Sequence, residues 1–386
     1  MSRVDLALAV LAVALTVAIL IPHLGLYSTA VQREVGVGSG GLAITISPNV
    51  TRYTTVYRAD GSVETYVKVG DPPSLQWYSL LANWMFNLFD RTDYQGQNFR
   101  QPVIAITGSD VRNSFFETSC FYGSGSAPTL VPYFSDAQTG VDFTTYTVSP
   151  RYTGKTSTYE VAITYSDTSD SNYYRANITA TYTRIAESPI TLTIAFVTLR
   201  YTPRGSTVEI IFLIDALDPP ITLNALEALQ VTWVVEFPKQ PPYTDAFWTV
   251  LRNFLALSNG PPDFGYNGGH SCTTRYPEDL RVHFMQGSTV LSTSSFSAVT
   301  LRVLGVTVEN DGLYIRLRAS YTPTASTTVD RVVLALRAVS IAGAGGSSTS
   351  FIDYYLFSFP IGPVQLVPQR PLVVDITIKF ANLFSQ

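Results

Sequence analysis

Two stretches of this chain spell the same pattern. "PPITLNALEALQVTWVVEF" runs from Pro219 to Phe237, and "GPVQLVPQRPLVVDITIKF" runs from Gly362 to Phe380. Aligned without a gap, Ile221 meets Val364, Leu223 meets Leu366, Leu229 meets Leu372 and Val231 meets Val374. Trp233 then meets Ile376, Val235 meets Ile378 and Phe237 meets Phe380. Apolar residues at every second position turn one face of a strand into a core and leave the other to solvent. The likeness extends upstream. "EIIFLID" (Glu209–Asp215) and "FIDYYLF" (Phe351–Phe357) are both strand-like, and "NITATYT" (Asn177–Thr183) parallels "RLRASYT" (Arg316–Thr322), with Tyr182 over Tyr321. A helical pattern repeats as well. "WYSLLANWMFNLF" (Trp77–Phe89) aligns with "FWTVLRNFLALS" (Phe247–Ser258), and Leu80, Leu81, Trp84 and Leu88 make one apolar stripe. Double prolines, Pro72-Pro73 and Pro241-Pro242, precede the two copies and suit helix starts, and Asn259-Gly260 stops the second.

The repeats divide the chain into units at 69–238 and 239–386, each reading helix, Gly/Ser-rich loop, then five or six strands. The period is far too long for a solenoid. Turn signals at Ser166–Asn172, Pro203-Arg204-Gly205, Asn310-Asp311-Gly312 and Gly343–Gly346 break up short strands, as antiparallel sandwiches require. The expected fold is mainly β: an N-terminal hydrophobic helix followed by two tandem antiparallel β-sandwich domains, each with one amphipathic helix.

An extension, residues 31–68, precedes the first unit and has no counterpart in the second. Gly38–Gly41 is a glycine/serine tether, "LAITIS" (Leu42–Ser47) alternates cleanly, and "TTVYRADGSVETYVKV" (Thr54–Val69) is a hairpin around Asp60-Gly61. The alternating segment is either an extra strand on the first unit's own sheet or a donor strand, with Leu42, Ile44 and Ile46 filling pockets along an open sheet edge of the next subunit.

The N-terminus speaks to compartment. Leu6 to Ile21 is apolar apart from Thr16, and Ser28-Thr29-Ala30 offers small residues where a signal peptidase cuts. Residues 1–30 are therefore a signal peptide or a membrane anchor, with residues 6–27 meeting the membrane, and the remainder is extracellular or on a virion surface. Cys120 and Cys272 suit an oxidising exterior as a candidate disulfide or as two free thiols. The bridge would close a loop of roughly 150 residues and contribute about 4–5 kcal/mol in the chain-entropy account. Asn49-Val50-Thr51 and Asn177-Ile178-Thr179 are candidate glycosylation sites. Charged residues are only 14% of the chain and the net charge is −4, with no basic stripe, so nucleic acid is not an expected partner.

Chemistry finds little purchase. His23, His270 and His283 are scattered, and no His-x-x-x-His or Cys-x-x-Cys spacing exists. Asp263 and Glu278-Asp279 read as loop carboxylates. His270 and Cys272 are near neighbours in "GYNGGHSCTTR" (Gly265–Arg275), but a thiolate's base normally comes from elsewhere in a fold, so a pinned loop is the plainer reading. Gly123-Ser124-Gly125-Ser126 lacks the lysine of a phosphate loop. The expectation is no enzyme, no metal and no cofactor. Tyr152, Tyr159, Tyr165, Tyr173 and Tyr174 cluster either for cross-strand packing or as a carbohydrate- or partner-binding face.

The loop "YGSGSAPTLVPYFSD" (Tyr122–Asp136), with Gly-x-Gly, then Pro, then Asp, the pair "ITATYT…SPITLT" (Ile178–Thr193) and the final Pro219–Phe237 element together resemble the small β-domains of viral tail-fibre and filament proteins, from archaeal viruses or archaeal surface filaments. The resemblance covers most of 69–386. The second unit departs from it, its loop reducing to "FMQGSTVLSTSSF" (Phe284–Phe296), and both units lack a glycine expected near Ala225–Glu227 or Gln369–Arg370. The resemblance implies a structural or adhesive surface protein. The expected function is a subunit of an extracellular filament, pilus or virion fibre that self-associates by strand addition. The alternative is a membrane-anchored monomeric adhesin or envelope spike binding a host receptor or glycan.

Overall fold

The computed structural model describes residues 41–69, 73–74, 77–78, 81–82, 126–137, 148–202, 208–254, 275–296, 298–309, 311–341 and 349–381. The chain is mainly β, in four sheets. Its strands are β1 (Leu42–Ile46), β2 (Asn49–Tyr57), β3 (Val63–Val69), β4 (Ser126–Ser135), β5 (Tyr159–Ser169), β6 (Tyr173–Arg184), β7 (Ile190–Thr202), β8 (Val208–Leu223) and β9 (Ala228–Pro238). Helix α1 (Asp245–Phe254) follows, and then come β10 (Arg275–Gln286), β11 (Thr289–Ser295), β12 (Leu301–Glu309), β13 (Gly312–Tyr321), β14 (Thr327–Ile341), β15 (Thr349–Leu366) and β16 (Leu372–Ala381). One sheet runs β3-β2-β9-β6-β5 and another β4-β7-β8. The other two run β1-β16-β13-β12 and β11-β10-β14-β15. All pairings are antiparallel except β1 with β16. Rings link the sheets in pairs: Phe134 of β4 lies 5.6 Å from Tyr182 of β6, and Phe284 of β10 lies 5.6 Å from Tyr321 of β13.

The duplication read from the alternation recurs in the hydrogen-bond register. On β6 and β9, Tyr174 faces Phe237, Ile178 faces Trp233 and Tyr182 faces Leu229. On β13 and β16, the aligned residues repeat these pairs, with Leu313 facing Phe380, Leu317 facing Ile376 and Tyr321 facing Leu372. The irregularities repeat too. The β7–β8 ladder slips between Leu192 and Ile194 and again between Val197 and Thr198. The β14–β15 ladder slips between Val329 and Arg331 and between Leu334 and Ala335, at the same spacing. A bulge re-aims every side chain after it, so two bulges kept at matching places keep the same residues facing the core.

The turn before each final strand is also a copy. Leu226 and Gln369 both have φ of 66°. The Leu226 N–H donates to the Arg184 carbonyl and the Gln369 N–H to the Pro323 carbonyl, each at 2.9 Å. The Glu227 N–H donates to the Asn224 carbonyl (3.2 Å) and the Arg370 N–H to the Val367 carbonyl (3.3 Å). These are the places where the sequence lacked an expected glycine, and an L side chain holds the left-handed conformation in both. Leu226 is 78% exposed, so its side chain contributes little packing. Leu226→Gly is expected to relieve about 1–2 kcal/mol of backbone strain against about 0.5–1 kcal/mol of added unfolded-state entropy. The net is a stabilisation that a thermal melt detects as a higher Tm; a lower Tm would mean the turn is not strained.

The helical residues cross-link the two halves. Trp77, Tyr78, Leu81 and Ala82 are helical and fully buried. Trp77 packs on Phe212 of β8 (4.8 Å between centroids) and Tyr78 on Phe380 of β16 (5.4 Å). In α1, Phe247 packs on Phe357 of β15 (5.2 Å) and on Phe237 of β9 (5.9 Å), while Trp248 stacks on Tyr174 at 5.2 Å. Each helical segment thus covers a strand of its own repeat and the last strand of the other. The anchors match. The Ser74 N–H donates to the Phe212 carbonyl (3.0 Å) and its hydroxyl to the Ile211 carbonyl. The Thr244 N–H donates to the Leu356 carbonyl (3.2 Å) and its hydroxyl to the Tyr355 carbonyl. Asp245 in the first turn and Arg252 in the last complement the helix dipole. Buried residues from all four sheets form one continuous cluster.

Some expectations need correction. The stretch read as a loop at Tyr122–Asp136 is largely β4. Its prolines suggested a loop, but β4 is an edge strand, where a missing N–H is tolerated. Its counterpart is β10, since Phe134 faces Ala195 as Phe284 faces Val332; Phe284–Phe296 holds the β10–β11 hairpin instead. Glu278 and Asp279 lie in β10, beside a register slip, and not in a loop. Residues 1–40, which carry the expected hydrophobic helix and the Gly38–Ser39–Gly40 part of the tether, lie outside the described residues. Among the described residues no helix is long and apolar enough to cross a membrane.

Candidate strand-addition site

The extension divides its strands between the two repeats. The β2–β3 hairpin forms around Gly61 (φ 86°) as expected and adds β2 to β9. β1, only Ser47 and Pro48 ahead of it, adds instead to β16, the last strand of the described chain. The outer flanks of both repeat strands are therefore filled by one N-terminal segment, antiparallel on β9 and parallel on β16.

Leu42, Ile44 and Ile46 are 7%, 2% and 0% exposed, as their alternation requires. They complete three buried rows across the sheet: Leu42–Ile376–Leu317, Ile44–Ile378–Ile315 and Ile46–Phe380–Leu313. Burying three such side chains contributes about 1.5–3 kcal/mol each. Fixing five backbones costs about 1–2 kcal/mol each. The two terms nearly cancel, so the polar contacts of β1 decide whether it stays docked.

Two such contacts stand out. The Tyr243 hydroxyl donates to the Thr45 carbonyl at 2.6 Å, with its ring held between Phe247 (5.0 Å) and Phe357 (5.4 Å). Burial pushes the Tyr243 phenol well above its ordinary pKa, so it remains a donor. At the start of the strand, a Cβ on Gly41 would lie 2.8 Å from the Asp375 carbonyl oxygen. Asp375 is itself held by a bidentate pair with Arg318 (2.6 and 2.8 Å).

The edge of the five-stranded sheet is defended differently. On β3, Glu64 pairs with Arg58 (2.8 Å) and Lys68 with the buried Asp215 (3.0 Å). Charges aimed inward from an edge strand oppose further pairing. β1 carries no charge at all. Behind β2, Arg52 and Asp215 form an ion pair with side chains 3% and 1% exposed, and Arg52 Nη1 also donates to the Ala216 carbonyl (2.8 Å).

The other candidates resolve as follows. Asn49 is exposed at the start of β2, and Asn177, half-buried on β6, shares that sheet face, its amide 3.5 Å from Ser166 Oγ. Cys120, Cys272, His23, His270, Asp263 and Gly123–Gly125 lie outside the described residues, and Ser126 opens β4. His283 is buried on β10. Its Nδ1 lies 2.8 Å from Thr293 Oγ1 and its Nε2 3.4 Å from Asp353 Oδ2, while Arg337 holds Oδ1 of the same carboxylate at 2.8 Å. The matching strands of the other repeat carry a similar cluster, in which the Tyr133 hydroxyl donates to Glu209 (2.8 Å) and Arg200 pairs with the same carboxylate. Both clusters are cross-strand ties centred on one carboxylate. Among the described residues, no group of His, Cys, Asp and Glu is arranged to hold a metal. Of the tyrosines, Tyr152, Tyr159 and Tyr182 pack on one another and Tyr174 is buried on Trp248. Tyr165 is exposed and Tyr173 lies under Arg175.

Sequence reasoning missed Tyr243, Gly41 and the Arg52–Asp215 pair. The glycine had a signal, ending a tether just before an alternating run; the others had none beyond their neighbours. Comparisons with protein-family models, curated proteins and solved structures find no match.

Proposed function

We propose that this chain is a structural subunit of an extracellular filament or virion surface fibre, built from two tandem antiparallel β-sandwich modules and assembled by strand addition between copies. One observation carries the reading. The final strand of the second module is flanked by a five-residue segment from the opposite end of the chain, whose apolar burial is about matched by the cost of ordering its backbone. A segment held this way exchanges readily for the same segment of a neighbour, because the neighbour's copy restores every contact. β1 carries no charge, unlike the β3 edge with Glu64 and Lys68, and this supports the β1–β16 border as the one used for assembly. Leu42, Ile44 and Ile46 are the inserted side chains, and the partner is another copy of the chain.

A second reading, a membrane-anchored monomeric adhesin or envelope spike, is favoured by β1 lying on β16 of its own chain, which closes the molecule on itself.

Ala43 and Thr377 are register partners on the outer face of β1 and β16 and give the test. Mixing chains carrying Ala43→Cys with chains carrying Thr377→Cys under oxidation is expected to give disulfide-linked dimers, and the doubly substituted chain is expected to give higher ladders, with the parent chain controlling for Cys120 and Cys272. Crosslinks formed only within the doubly substituted chain, and never between the two single variants, would instead favour the closed monomer.

A further inference from the structure

We infer that the flank of β16 is a selective groove, which takes a strand of the form Gly-apolar-x-apolar-x-apolar in parallel orientation and one register, and that its occupant in the assembly is Gly41–Ile46 of a second copy. The identity of that occupant rests on the strand-addition reading; the selectivity does not.

The selectivity comes from contacts at two points along the strand. At its start, the backbone of Gly41 runs against the Asp375 carbonyl, where a Cβ would sit 2.8 Å from the oxygen and 3.3 Å from the Asp375 Cβ. The near atom is backbone on a strand paired with β13 along its length, so it has little freedom to retreat. Only glycine fits that position without moving the strand. Further along, the buried Tyr243 hydroxyl meets the carbonyl of Thr45, the residue between the inward-facing Ile44 and Ile46. That carbonyl belongs to the outer edge of β1, and a buried donor left without it would lose its partner. A slip by one residue in either direction would bring Leu42, Ile44 and Ile46 out of the core, and in the direction that seats Leu42 it would also press a Cβ against Asp375. A reversed strand would present neither its glycine nor its carbonyl at the required places. The carbonyl and the tyrosine both belong to the second repeat, whereas the glycine arrives with the occupant, so the groove can be matched by the Gly41–Ile46 segment of its own chain or of a second copy.

The β13 strand on the opposite side of β16 follows the same formula. Gly312-Leu313-x-Ile315-x-Leu317 pairs antiparallel with β16, and a Cβ on Gly312 would lie 2.4 Å from the Phe380 carbonyl oxygen. β16 therefore meets a glycine-led apolar strand on each flank, and the close approach recurs at its two ends.

The test uses the full chain carrying Ala43→Cys and Thr377→Cys together, in which the crosslink reports register whether β1 docks at home or on a neighbour. Adding Gly41→Val is expected to reduce crosslink yield at least fivefold, and Gly41→Ala to reduce it less. Tyr243→Phe, which keeps the ring, is expected to raise hydrogen exchange at the β1 amides about five- to tenfold, while the Leu313–Leu317 amides stay protected. Unchanged yield and exchange in all three variants would overturn the selectivity and leave strand addition standing. Graded losses within the double-cysteine chain, without crosslinks between single-cysteine chains, would uphold the groove and sink the assembly reading. Loss of protection at Leu313–Leu317 as well would assign Tyr243 to general packing and overturn its part.

Discussion

Replacing Ile44 by Asp releases β1 from β16 while the remainder of the chain stays folded. Ile44 is 2% exposed, in the middle of its three-row ladder. The substitution removes about 2–3 kcal/mol of apolar burial and would bring an unpaired carboxylate into the same place, at a further cost of several kcal/mol. Docked β1 has almost no margin from which to meet that cost, so the segment leaves and its five residues return to solvent. The expected result is exchange of the β1 amides at the rate of an unstructured peptide, new protease cleavage near Gly41–Ser47, and loss of filaments or crosslinked ladders. The β13 and β6 amides remain protected. Ile44→Val, costing about 0.5–1.5 kcal/mol, leaves the strand partly docked. Ala43→Asp on the exposed side leaves the three buried rows and the Thr45 carbonyl contact intact and serves as the control. If Ile44→Asp instead unfolds the chain as a whole, β1 is an integral core strand and exchange between copies has no basis.

Much of this architecture was legible because it is written twice. The period-2 runs ending at Phe237 and Phe380 fixed the buried faces of β9 and β16, and their gapless alignment carried over to the register with β6 and β13. The missing glycines were legible too, as positions where the chain holds Leu226 and Gln369 in a conformation that favours glycine. What could not be read is the destination of β1. "LAITIS" states that it is a strand with one apolar face, but β9 and β16 offer equivalent flanks, and the choice depends on Gly41 and Tyr243, whose contacts join segments remote in sequence. β4 was hidden by its prolines, which argue against a central strand and say nothing against an edge. Arg52 was hidden for the opposite reason. In Val50-x-Arg52-x-Thr54-x-Val56 the spacing sends Arg52 inward while its charge argues outward, and only the partner on β8, remote in sequence, reconciles the two.

That partner gives the largest expected effect on stability. In Asp215→Ala, Arg52 keeps its contact with the Ala216 carbonyl but loses the carboxylate paired with it among the described residues, at a site where its side chain is 3% exposed. An uncompensated buried charge costs about 3–5 kcal/mol. At about 2–4 °C per kcal/mol for a unit of 150–250 residues, the melt is expected to fall by about 6–20 °C. Arg52→Met with Asp215→Leu should recover most of it, because a buried pair replaced by apolar side chains is commonly neutral or better. A single variant within about 1 kcal/mol of the parent would show that Arg52 reaches water. The location of the pair gives the result its meaning. It ties β2 to β8 across the first module, and Lys68 ties β3 to the same carboxylate. The second half of the extension is thus clamped by buried charge, whereas β1 is held by its short ladder with β16, one tyrosine hydroxyl and three buried side chains, with no ion pair of its own. An extension anchored firmly at one end and loosely at the other sends only its loose end to a neighbour. Asp215→Ala should therefore loosen β2 and β3 along with the melt, whereas Ile44→Asp frees β1 alone.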